Sequence, residues 1–235
     1  HSGHASANAL PMIDLTLHSS GQSTQNNYLY SRDYQQHTPL EQVLKNNNWH
    51  TPTVGVVNRG FSNKPSWMAF SLHNPAKKNM DVILEYVDAS AQSIDFYYRK
   101  KNSHGPFEHL NFDFEEPVSN RVVPFYRPAF SLNLPAQSQY DVYVRIFQGN
   151  DFPMHCFTSL RIWQEFDFYR STNIQMVLLI ILLFTEIFMG IGAMIVFFTS
   201  RDRLFIYYAF FVFSAAGLFS GISGLWGYYI MPLHY

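Results

Sequence analysis

From Ile174 to Ile230 the chain is almost wholly apolar, and the one charged cluster inside that tract is Ser200-Arg201-Asp202-Arg203. Ile174 to Phe198, about 25 residues, is broken only by Gln175, Thr185 and Glu186, and about 20 apolar residues suffice to cross a bilayer as a helix. Leu204 to Ile230 is of similar length and carries no charge. Soluble core helices seldom run so long without a polar stripe, whereas lipid favours uninterrupted helices that satisfy their own backbone. The tract therefore predicts two antiparallel membrane helices, 174–199 and 204–231, joined by a turn at 200–203.

Arg201 and Arg203 in so short a turn assign it to the cytoplasm by the positive-inside rule. The N-terminal part and residues 232–235 then lie outside. Aromatic residues suit both interfaces: Phe166, Phe168 and Tyr169 before the first helix, Trp226, Tyr228 and Tyr229 closing the second, and Tyr207 and Tyr208 at the inner boundary. Arg170 is a contrary charge outside. Glu186, mid-span, costs at least about 2.5 kcal/mol in lipid and should face another helix or a water-filled cavity. It reads as a coupling or relay residue or, more simply, as a protonated acid bonded to a neighbouring helix. Ser214, Gly217, Gly221 and Gly224 share one helical face that permits close helix approach, so more helices are expected in the natural protein than this chain contains.

Before this tract the sequence is polar and carries almost all the charge. A net charge of -1 with no basic run excludes a nucleic-acid footprint. Cys156 is the only cysteine, so no intrachain disulfide or cysteine-based zinc cluster is available. Residues 1–9 read as a disordered tail, with no apolar signal core; Ala5-Ser6-Ala7 resembles the end of a signal-peptidase site.

Residues 10–165 read as one mainly β domain, a jelly-roll-like β-sandwich, followed by a linker at 166–173 and the transmembrane hairpin. Alternating segments recur at Trp67–His73, Asp81–Val87, Ile94–Lys100, Pro128–Leu134, Tyr140–Phe147 and Phe157–Trp163, separated by turn residues. A short helix is expected at Leu40–Lys45, with Thr38 as N-cap and Pro39 in its first turn. Roughly 160 residues suffice for a single core.

No catalytic motif is present, and His104 and His109 merely flank a turn. The carboxylates Asp81, Asp88, Asp95, Asp113, Glu115 and Glu116 lack EF-hand spacing; no cofactor is predicted, and a calcium site assembled across loops stays open. Binding is the better reading, because a sandwich can present aromatic and polar side chains on one sheet face. On Ile94–Lys100, Asp95, Tyr97 and Arg99 share a face. On Tyr140–Phe147, Asp141, Tyr143, Arg145 and Phe147 share another, and mid-strand Arg145 requires a partner or a ligand. The candidate ligand-binding set is Trp67, Asp95, Tyr97, Arg127, Tyr143 and Arg145; a structural salt bridge or a solvated face is the plainer alternative for each.

The segments NYLYSRD, TPLEQVLKN, GFSNKPSWMAFSLHN, SIDFYYRK, FYRPAFSLNLP, YDVYVRI and SLRIWQEF occur in order. Together they resemble the periplasmic sensor domain, type 2, of the bacterial seven-transmembrane receptors with diverse intracellular signalling modules. SRDRLFIYYAFFVFS and GLWGYYIMP look like the first cytoplasmic loop and second helix of the same receptors. The resemblance implies a jelly roll similar to carbohydrate-binding modules, a sugar or small-ion ligand, and signalling from the periplasm across the bacterial inner membrane. It aligns Trp67 with a Trp-x-x-Phe strand and Arg145 with a Tyr-x-Arg strand. Ala69 stands where arginine is frequent, and Gly192-Ala193 where a Tyr-Asn pair often sits. Implied partners are the lipid bilayer, a small glycan or ion, further transmembrane helices, a cytoplasmic signalling domain and, as an open question, a second copy of the chain. The chain itself is expected not to be an enzyme; the alternative function is a membrane-tethered binding module without signalling.

Overall fold

The computed structural model describes residues 10–16, 20–24, 26–32, 34–45, 48–53, 57–61, 64–87, 91–125, 127–149, 155–158 and 160–222. Gly224 and the aromatic residues at the end of the second apolar tract lie outside the described residues. The chain divides into two units, His1–Phe168 and Tyr169–Tyr235.

The described strands are β1 (Met12–Asp14), β2 (Gln22–Ser23), β3 (Leu29–Ser31), β4 (Val57–Phe61), β5 (Ser66–Asn74), β6 (Met80–Tyr86), β7 (Ser93–Lys100), β8 (Glu108–Asp113), β9 (Ala129–Leu134), β10 (Ser138–Phe147), β11 (His155–Thr158) and β12 (Leu160–Gln164). A short helix, α1 (Leu40–Lys45), lies where Thr38-Pro39 predicted it. Six strands form a sheet in the order β1-β5-β10-β7-β8, with β3 also pairing with β5. Four form a second sheet, β2-β12-β6-β9, and β11 pairs with β4. The expected segment Phe157–Trp163 is two strands, not one.

Side chains alternate across each strand, and that alternation builds the core. Met68, Phe70 and Leu72 of β5, Ile94 and Phe96 of β7, and Val142, Val144 and Ile146 of β10 face Val82, Leu84 and Tyr86 of β6 and Phe130, Leu132 and Leu134 of β9. Phe96 and Phe130 stack across the layer with ring centroids 5.2 Å apart. This is a β-sandwich.

Each sheet also carries a smaller apolar cluster on its outer face. On the six-stranded sheet, Val43 of α1, Tyr34 and Trp49 cover Leu29, Trp67 and Ala69. On the four-stranded sheet, Val123 and Phe125 pack with Ile83, Ala129 and Phe168, and Trp163 borders them. Gly21 (φ 80°) closes the second cluster: a Cβ there would stand 2.4 Å from the Trp163 ring, so any larger residue displaces the tryptophan.

Strand β12 passes directly into helix α2 (Glu165–Ser200), and the segment 166–173, expected as a linker, is helical. Glu165 and Asp167 in its first turn complement the helix dipole, and Phe168 in that turn is buried. Helix α3 (Arg203–Ile222) follows after a turn of Arg201 and Asp202. Arg201 adopts φ 58° at the end of α2, and the Asp202 carboxylate accepts the Leu204 N–H as a cap for α3.

Only 11% of the most apolar window of α2, and 17% of that of α3, is buried. Helices of this length with leucine, isoleucine and phenylalanine exposed on all sides are shaped for lipid rather than for a soluble core. Among the described residues of the hairpin, Gly190, Ala193, Ala209 and Ala216 are buried small residues, and the Phe213 ring lies against Gly190. The predicted small-residue face does not make this contact: at Gly217 and Gly221 a Cβ meets nothing within 4 Å. At Gly190 a Cβ would stand 2.7 Å from Phe213. Gly190→Ala is expected to cost the hairpin about 1–3 kcal/mol, relieved by Phe213→Ala in the same chain, as read by thermal loss of helical signal in detergent. Glu186 is half-buried, and its Oε2 has no hydrogen-bond partner among the described residues.

Candidate ligand-binding face

Register places five of the six candidate ligand residues on the outer face of the six-stranded sheet. Trp67 of β5 lies opposite Arg145 of β10, which lies opposite Asp95 of β7, which lies opposite Asn111 of β8. The next row outward-facing on the same strands is Ala69, Tyr143, Tyr97 and His109. Arg127 does not join them. It forms an ion pair with Glu85 on the four-stranded sheet, Nη2 to Oε1 at 2.7 Å.

Asp95 is the electrostatic centre of the first row. Its Oδ1 accepts from His109 Nε2 at 2.9 Å and Asn111 Nδ2 at 2.9 Å, and its Oδ2 accepts from Arg145 Nη1. Burial opposes the charged form, but the hydrogen bonds from Asn111, His109 and Arg145, with the positive charge of Arg145, outweigh it and hold the carboxyl below the usual aspartate range. Because an ionised carboxylate only accepts, His109 donates through Nε2, and the neutral tautomer that fits this bond has Nδ1 as its acceptor. Arg145 uses its other terminal nitrogen to donate to the Gln36 carbonyl. The mid-strand arginine therefore has its partners within the domain.

The second row is aromatic. Trp67 and Tyr97 stack at 6.0 Å, Tyr97 and His109 at 4.5 Å, and Tyr34 meets Trp67 edge-on at 6.4 Å. Tyr143 touches Trp49 and, edge-on, Phe107, over whose ring Arg99 lies at 4.1 Å. Burial, with the Asp141 charge, pushes the Tyr143 hydroxyl up to about 12 against the opposing charge of Arg99. Burial and Asp95 likewise raise Tyr97.

Trp67 is fully buried beneath Tyr34 and the α1 segment, so it supports the stack from below and offers no ring face to solvent. The expectation that it binds ligand directly is corrected on that ground. The stack opens at its other end, where His109 is 45% exposed and Asn111 is exposed beside it. His109 and Asn111 were not among the sequence candidates. The signal that could have found them is the alternation in Glu108–Asp113, where Leu110 and Phe112 point inward and His109 and Asn111 outward. Among the described residues no three of His, Cys, Asp and Glu are grouped to hold a metal ion.

Residues 25–175 match the family model for the 7TMR-DISM extracellular 2 domain. The chain belongs to this family. The 7TMR-DISM extracellular 2 match takes in both outer faces and the first turn of α2, and it makes this an extracellular sensor domain followed by helices suited to a membrane. No curated protein matches the chain. Among solved structures, a family 35 carbohydrate-binding module from Clostridium thermocellum aligns at TM-score 0.28 and 8% identity, over 62% of this chain and 99% of that one. The exo-beta-1,3-galactanase of Phanerochaete chrysosporium, solved with beta-1,3-galactotriose, aligns at TM-score 0.27 and 7% identity over 62% of this chain; the aligned part is 29% of the galactanase. An adhesin domain of Lys-gingipain from Porphyromonas gingivalis aligns at TM-score 0.24 and 14% identity, over 65% of this chain and 89% of that one.

Proposed function

We propose that the chain is the input part of a bacterial inner-membrane signal receptor whose periplasmic sandwich binds a neutral carbohydrate at the open end of the Trp67–Tyr97–His109 stack. The observation that carries this reading is the exposed imidazole backed by two stacked rings and tied to Asp95. A sugar needs an apolar ring face to stack on and fixed polar atoms to meet its hydroxyls. The outer face of His109 supplies the first, and His109 Nδ1 with the Asn111 side-chain oxygen supplies the second. The charge balance of the Asp95 row favours a neutral ligand, because Arg145 is already compensated by Asp95 and is not free to select an anion. By the positive-inside rule the turn at Arg201–Arg203 supports a sandwich outside the cytoplasm, and on this reading the helices pass the signal on.

With the full chain in lipid nanodiscs, neutral oligosaccharides are expected to bind the wild type and to lose about tenfold in affinity in His109→Ala, a change of about 1.4 kcal/mol. Asn133→Ala, exposed on the other sheet, should leave affinity unchanged. Equal affinity in all three would remove the site. Exchange of both helices for an unrelated anchor should abolish output in a full receptor while preserving binding; retained output would favour a tethered module that does not signal.

A further inference from the structure

The outer face of the six-stranded sheet continues past the His109 row. By alternation the next outward residues are Ser71 of β5, Asp141 of β10 and Arg99 of β7, and register sets them side by side. Phe107, one residue before β8, completes this third row, with the Arg99 guanidinium 4.1 Å from its ring centroid. Tyr143 of the aromatic row meets the same ring edge-on at 5.6 Å, so the two rows form one continuous surface.

The third row holds opposite charges that do not pair. Asp141 and Arg99 are direct cross-strand neighbours, yet among the described residues no ion pair joins them. Each uses a neutral partner instead: Asp141 Oδ1 accepts from Ser71 Oγ at 3.1 Å, and Arg99 Nη1 donates to the Gly105 carbonyl at 3.2 Å. Ser71 is buried, and Gln139 Nε2 donates to its Oγ at 2.8 Å, so the carboxylate rests on a fixed hydroxyl. Asp141, Arg99, Tyr143 and Phe107 are all half-exposed, and Asp141 Oδ2 has no partner among the described residues.

We propose that this row is a second sugar subsite and that the face takes a neutral glycan of at least two sugar units. The inference rests on reading His109 as the first subsite. Alternate outward residues along a strand are roughly 6.5–7 Å apart, a step that suits successive rings of an extended glycan, one on His109 and the next at Phe107. A carboxylate that only accepts and a guanidinium that only donates together satisfy neighbouring hydroxyls, each of which does both. Their charges offset each other, so the row does not select an ion. The backbone positions of His109 and Asp141, two strands and two residues apart, are roughly 12 Å from each other, more than the width of a single sugar ring.

The test titrates the full chain in phosphatidylcholine nanodiscs with glucose, galactose and mannose and with their α- and β-linked di- and trisaccharides. The wild type is expected to bind a disaccharide about tenfold more tightly than its monosaccharide, the scale of one added charge-assisted hydrogen bond. Arg99→Gln and Asp141→Asn should abolish that preference, whereas Asn133→Ala on the other sheet should keep it; thermal midpoints matching the wild type identify a loss of contact rather than of fold. Equal affinity for one and two sugar units in the wild type overturns the proposal whatever the variants do, and His109 stands as a single-ring site if His109→Ala still weakens binding. A preference that survives both substitutions overturns it equally. Absence of binding by every sugar, or binding indifferent to His109→Ala, overturns the first subsite and this one together. Tighter binding of a uronic-acid disaccharide than of its neutral counterpart overturns the neutral assignment, with Arg99 selecting charge.

Discussion

Replacing Arg127 with methionine is expected to destabilise the sandwich by about 3–5 kcal/mol, the usual cost of removing one partner from a buried ion pair. Glu85 is 1% exposed and the Arg127 side chain 15%, so the carboxylate left behind has no route to bulk water. Its other oxygen is already committed, since Oε2 accepts from Trp163 Nε1 at 2.7 Å. The Arg127 guanidinium also lies 5.4 Å from the Phe125 ring centroid, so its removal loosens the cluster around Phe168. For a domain of this size the midpoint of thermal unfolding should fall by roughly 6–20 °C, read from tryptophan fluorescence of the full chain. Glu85→Leu combined with Arg127→Met should recover most of the loss, because the penalty comes from the orphaned charge rather than from the missing attraction. Binding at the His109 face should survive in the folded fraction of Arg127→Met. A specific loss of binding without loss of stability would return Arg127 to the ligand site.

The residues explain why some of this was legible beforehand. Ile94–Lys100 and Tyr140–Phe147 alternate strictly, so parity alone put Asp95, Tyr97, Tyr143 and Arg145 on faces away from the core, and the register pairs Asp95 with Arg145 and Tyr97 with Tyr143. Parity does not say which sheet a strand joins. Arg127 looked like its neighbours in composition, yet its partner lies on β6, more than forty positions earlier, and only the fold brings them together. Nor does parity reveal what covers an outer face. The segment that buries Trp67 is a polar stretch around α1 with scattered Tyr34, Val43 and Trp49, and it has no sustained period to read. His109 was hidden by its place after a turn, and the brevity of β8 weakened an alternation that was present. The apolar tract was legible because length and absence of charge are properties of composition. Which small residues face which helix is not: Gly190 meets Phe213, while the face of Gly217 and Gly221 has open space beside it.

Asp95→Asn should cost about 3–5 kcal/mol near neutral pH and at the same time flatten the acid limb of the stability profile. The carboxylate holds Arg145, His109 and Asn111 at once, so an amide both strands a buried guanidinium and turns one acceptor oxygen into a donor facing other donors. The pH dependence follows from the direction of the shift. Asp95 titrates lower in the folded chain than in the unfolded one, so at low pH the unfolded chain takes up the proton first. Its contribution is complete above the ordinary aspartate value of about 3.9 and is lost as pH falls through the lower folded value. Wild type should therefore lose stability across that acid window, whereas Asp95→Asn, already weaker, should lose less over the same range. Thermal midpoints of the two chains measured at matched pH steps decide it. Parallel acid limbs would mean that other carboxylates dominate and that the Asp95 row is not the electrostatic centre of the face. Convergence of the two curves at low pH is the outcome that the Asp95–Arg145–His109–Asn111 geometry requires.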